Sequence, residues 1–84
     1  MTRDEQCDDL AIAVRQALPR CRVTTNKGLN PATPLCVIAR WPNNRTHSAR
    51  ARSISIDFEA FKRDAIADLL RYDARNKSGT VVAQ

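Results

Sequence analysis

Three cysteines, one histidine, nine carboxylates and fourteen Lys or Arg side chains carry the chemistry available to this 84-residue chain. A nucleophilic thiol needs an imidazole within hydrogen-bond reach and a third group to orient it. His47 is the only histidine and stands in the polar stretch Asn43-Asn44-Arg45-Thr46-His47-Ser48, which reads as a solvated loop. Structural zinc sites present ligand pairs roughly two to four residues apart, and Cys7, Cys21, Cys36 and His47 contain no such pair. Each cysteine falls at a core position of its element and is expected to be a reduced, metal-free thiol. Cys21 and Cys36 fall on neighbouring strands, but a reducing compartment argues against a bridge. Glycines only at 28 and 79 exclude both the G-x-S-x-G elbow and the G-x-x-x-x-G-K phosphate loop. The nine acids have the spacing of solvated helix faces rather than of a converging acid–base pair. The expectation is a non-enzymatic protein with no catalytic residue, metal or cofactor.

The cations are the stronger signal. Residues 1–9 carry a net charge of −3, and residues 57–84 balance to zero. Between them Arg15, Arg20, Arg22, Lys27, Arg40, Arg45, Arg50 and Arg52 meet no acid at all. A basic middle of this kind fits a polyanion partner. Eleven arginines against three lysines, beside twelve alanines, also match the bias of GC-rich coding.

These residues must be positioned by about five elements. Thr2 and Glu5 form a capping box, and Cys7, Leu10, Ala11, Val14, Ala17 and Leu18 give the stripe of a helix over 3–18. Pro19 ends it. Arg20 to Thr25 alternates as a strand, and Leu35 to Trp41 reads as a central one. Ser48 to Ile56 reads as a third strand, best at Ser53-Ile54-Ser55-Ile56, with a bulge needed to reconcile Arg50 and Arg52 with Ile54 and Ile56. Asp57 is an N-cap, Ile56 and Phe61 have the spacing of a hydrophobic staple, and Phe58, Phe61, Ala65, Leu69 and Tyr72 stripe a second helix over 58–75. Phe61 is expected in the core shared with the sheet. Residues 76–84 read as a flexible tail, with an edge strand at 80–83 left open.

The resulting α+β domain over 1–75 has the order α-β-β-β-α, a three-stranded antiparallel sheet with both helices on one face. That order resembles the double-stranded RNA-binding domains over about residues 3–75. The resemblance implies RNA contacts through the first helix, a strand-connecting loop holding Lys27, and the start of the second helix at Lys62 and Arg63. Four acids opening the first helix depart from that pattern, as does the missing lysine cluster.

Two partner readings follow. One is weak, sequence-independent binding of nucleic acid or another polyanion through Arg22, Lys27, Arg40, Arg45, Arg50 and Arg52. The other is a protein-interaction or homodimerisation surface on the second helix, whose apolar face Ile66 and Leu70 widen. Trp41, the one aromatic on a strand, is expected to pack rather than stack bases. No apolar run is long enough to span a membrane. The acidic N-terminus has no apolar signal segment, which points to the cytoplasm.

Overall fold

The computed structural model describes residues 2–30 and 32–82, with side chains described outside 77–82. Helix α1 (Arg3–Ala17) is followed by strands β1 (Arg22–Thr25), β2 (Cys36–Arg40) and β3 (Thr46–Arg50), and by helix α2 (Phe58–Val82). The sheet order is β1-β2-β3, antiparallel throughout. The backbone is helical through Val82, so α2 continues across 76–82, which the sequence reading gave to a tail with an edge strand left open at 80–83; Ala83 and Gln84 lie outside the described residues.

Each helix start follows from its sequence. The backbone N–H of Glu5 donates to Thr2 Oγ1 at 3.1 Å and the Thr2 N–H donates to Glu5 Oε1 at 2.9 Å, closing the capping box. Those bonds favour the charged carboxylate and hold Glu5 below the usual glutamate range. At α2 the Ala60 N–H donates to Asp57 Oδ1 at 3.2 Å. Ile56 and Phe61 both rest against the core beside that cap.

Both helices lie on one sheet face. Cys7, Leu10, Ala11, Val14 and Leu18 of the first helical segment meet Val23, Val37 and Ala39 of the sheet and Ala65 and Leu69 of α2, all buried. Phe61 is only partly buried at the margin of this cluster rather than in its centre. Asn26 ties down the loop between β1 and β2. Its Nδ2 donates to Pro34 O at 2.9 Å and to Thr33 Oγ1 at 3.4 Å, while its Oδ1 accepts from the Cys36 N–H at 3.1 Å. The buried Cys7 Sγ approaches the same oxygen at 3.9 Å.

The third strand differs from its sequence reading. It occupies Thr46–Arg50, and Arg52 to Ser55 form a bend outside the sheet. The cause is the β2–β3 hairpin. Pro42, Asn43 and Asn44 make a three-residue loop, Asn44 adopts φ +69°, and the Trp41 N–H donates to Arg45 O at 2.9 Å. Pairing starts there, so His47 and Ala49 face inward and Arg50 faces out without any bulge. The Ala51 N–H still donates to Leu35 O, after which the chain leaves the sheet. Cys36 also departs from expectation. It alternates with the buried Val37 and so lies on the open face. Cys21 precedes β1 at the level of Trp41, about 17 Å along β2 from Cys36, far beyond disulfide reach.

Candidate polyanion-binding face

The sheet face away from the helices presents Arg22, Arg40 and Thr46 in one row, Thr24, Ile38 and Ser48 in the next, and Cys36 with Arg50 in the third. Arg22 and Arg40 are register partners on adjacent strands. Like charges directly opposite destabilise a strand pair, and among the described residues neither has a carboxylate within ion-pairing distance. Arg45, exposed just beyond the hairpin, and Arg52, in the bend after β3, are likewise without an ion pair among the described residues.

The remaining cations of the basic middle are used internally. Arg15 Nη2 donates to Val23 O at 3.2 Å, and Arg20 Nη2 reaches Asp73 Oδ1 at 3.5 Å. Lys27, one of the residues read as a polyanion contact, lies 2.9 Å from Asp8 Oδ1, and that bond holds its ammonium above the ordinary lysine range. The basic start of α2 is matched too. Lys62 bridges Glu59 and Asp9, both at 2.9 Å, and its ammonium is held up first by Glu59 and then by Asp9. Arg63 lies 3.6 Å from Asp64. Lys27, Lys62 and Arg63, the loop and second-helix cations that the resemblance to double-stranded RNA-binding domains would use, thus each have an acid beside them.

Charge is therefore layered. All nine acids stand on the helices or their caps, whereas Arg22, Arg40 and Arg50 stand on the opposite face. The two ends of that face differ. At the hairpin end, a cleft of about 430 Å³ is lined by Arg20, Arg22, Arg40, Trp41, Pro42 and Asn44, with no acid. At the other end, Arg50 lines a cleft of about 350 Å³ with Asn26, Thr33, Cys36 and Ile38 and no acid, while the groove between β3 and α2, about 530 Å³, sets Arg50 and Arg52 beside Asp57, Asp64 and Asp68. Ile38, 41% exposed, lies between the two ends.

Sequence reasoning missed a second cluster, on the inner face. His47 is half-buried on β3, not in a solvated loop, and its Nε2 donates to Asp68 Oδ2 at 2.8 Å. Its ring stacks on Tyr72, with centroids 4.5 Å apart and planes 12° from parallel. Tyr72 in turn meets the buried Trp41 at 4.9 Å. The Trp41 indole N–H donates to Asp73 Oδ1 at 2.8 Å. Asp68 and Asp73 are thus structural partners rather than solvated acids. The available signal was the spacing on α2, where Asp68 and Tyr72 are four apart on one face. The cluster offers an imidazole, two carboxylates and a phenol, with no serine, threonine or cysteine among the members so placed. Among the described residues no three His, Cys, Asp or Glu side chains converge as metal ligands.

Ile66 packs partly buried against the core, leaving Leu70, at 42% exposure, as the accessible part of the proposed partner face. Among the described residues no helix is long and apolar enough to cross a membrane.

Fold and site together define a small α+β domain with two helices on one side of a three-stranded sheet and arginines on the other. No family model matches the chain, and no curated protein or solved structure shows significant similarity to it.

Proposed function

We propose that this protein is a non-enzymatic, cytoplasmic binder of nucleic acid or a similar polyanion, and that it uses the open sheet face with weak dependence on sequence. The observation that carries this reading is the Arg22–Arg40 register pair, two guanidiniums held opposite each other with no acid in reach. Phosphates relieve the repulsion that such a pair builds into the sheet. Arg50 supports the reading from the far end, with Arg45 and Arg52 at the rims. Sequence independence follows from the absence of a base-reading helix or aromatic platform on the described part of that face.

Fluorescence anisotropy with labelled single- and double-stranded oligonucleotides, from about 25 to about 200 mM salt, tests it. If Arg22, Arg40, Arg45, Arg50 and Arg52 all contact phosphate, log K falls with log salt at a slope of up to about −4.5 for duplex and about −3.5 for single strands. Arg22→Gln with Arg40→Gln flattens either slope by about 1.5–2. No binding even at the lowest salt refutes the proposal and leaves coding bias as the account of the arginines.

A further inference from the structure

We infer that the cleft at the hairpin end of the open face seats a terminal phosphate monoester of a nucleic-acid strand, so that the strand is held by its end. This rests on the polyanion reading and names the group it recognises best.

Charge matching carries the argument. Arg22 and Arg40 contribute two guanidiniums without carboxylate partners among the described residues. The third arginine of the cleft, Arg20, is already matched by Asp73 at 3.5 Å. The lining thus offers two uncompensated positive charges. A phosphate monoester carries a charge of about −1.5 to −2 near neutral pH, whereas an internal diester carries a single one and leaves a guanidinium unmatched. The planar fork of arginine suits such an oxygen-rich anion, since each can donate two parallel hydrogen bonds.

Placement supplies the rest. Register partners in an antiparallel pair have Cα atoms roughly 4.5–5.5 Å apart, so the two side chains leave the sheet side by side and both forks can turn to one anion. Pro42 and Asn44 of the hairpin form part of the lining. Their backbone is fixed by the proline ring, by the φ of +69° at Asn44 and by the Trp41–Arg45 hydrogen bond. The cleft at the far end of the face holds a single arginine, Arg50, and the groove between β3 and α2 sets Asp57, Asp64 and Asp68 beside Arg50 and Arg52, so neither matches a doubly charged phosphate. From the hairpin end a strand would run across the row of Thr24, Ile38 and Ser48 towards Arg50, about 13 Å along β2 from Arg40.

The test compares single-stranded oligonucleotides that differ only in a phosphate or hydroxyl at one end, for the 5′ and the 3′ end in turn, at about 100 mM salt. A phosphate at one of the two ends tightens binding by about tenfold or more, the effect of an added charge-assisted hydrogen bond. Arg22→Gln and Arg40→Gln each erase that gain, while Arg50→Gln weakens both ligands equally and preserves it. The comparison on the unaltered protein needs no variant to fold, and thermal melts of the variants control for the rest. Equal binding of phosphorylated and hydroxyl ends overturns this inference and leaves the polyanion proposal standing. Absence of binding by every oligonucleotide at about 25 mM salt overturns both.

Discussion

His47 on β3 and Asp68 on α2 meet at 2.8 Å and pin the edge of the sheet to the helix that crosses it. The His47 bond holds the Asp68 carboxyl below the usual aspartate range, with smaller help from the His47 charge and from Arg71. A carboxyl lowered in the folded state stabilises the protein above its unfolded value and loses that contribution as pH falls through the folded one. Asp68→Asn is therefore expected to lower Tm at pH 7 and to flatten the further decline below about pH 4. His47→Ala removes the same bond and the Tyr72 stack, at a cost of about 1–3 kcal/mol. Melts followed by circular dichroism across pH check both; parallel acid limbs for Asp68→Asn and the unaltered protein would contradict the assignment.

Burial orders two substitutions on α2. Leu69 is fully buried, whereas Phe61 sits at the core margin. Leu69→Ala is expected to cost about 3–5 kcal/mol and Phe61→Ala less, despite the larger side chain removed. Urea denaturation of the two variants gives the order directly.

Asn26 satisfies groups on both sides of the β1–β2 loop. Asn26→Ala leaves the Cys36 N–H and Pro34 O without their partner and is expected to cost about 2–3 kcal/mol. Amide hydrogen exchange should show the loss first at Cys36. Unchanged protection there would mean that the loop is held by other contacts.

The like-charge pair on the open face offers a separation of stability from binding. Arg40→Glu turns the Arg22 contact into an opposite-charge pair and is expected to stabilise the fold by about 0.2–1 kcal/mol. The same substitution should abolish oligonucleotide binding. A variant that is more stable and still binds normally would move the site elsewhere.

The three thiols are unpaired in the structure and should differ in reactivity. Cys7 is fully buried and should be modified only through unfolding. Burial first, and then the Asp73 charge, pushes the Cys21 thiol above its ordinary range, which leaves little thiolate at neutral pH. Stopped alkylation followed by mass spectrometry should place Cys21 behind Cys36, and Cys7 last. An intact mass two units low (one bridge), or stoichiometric zinc, would contradict reduced and metal-free cysteines.

The helices and the first two strands were legible because their signals are local. A capping box, a stripe with helical period, Pro19 and the Asn26-Lys27-Gly28 turn all act within a few residues. The third strand was misplaced because Ser53-Ile54-Ser55-Ile56 has the better strand composition, yet pairing is set by where the Pro42–Asn44 turn closes. Once that register is known, Arg22, Arg40 and Arg50 fall on one face by parity alone. Lys27 could not be discounted from sequence, since its acid lies nineteen residues away on α1. His47 was misread for the same reason, since Asp68, its hydrogen-bond partner, lies twenty-one residues away on α2, with Tyr72 one turn further on.

Layered charge also has a kinetic side. With its acids gathered on the helices and its free arginines on the sheet, the molecule has a dipole running through its thickness. Near a polyanion such a dipole feels a torque as well as a pull, and it turns the sheet forward before contact. Fewer encounters are then wasted on the wrong side, so a small binder of modest affinity can still associate quickly at low ionic strength. The advantage fades once the screening length falls below the separation between the two layers.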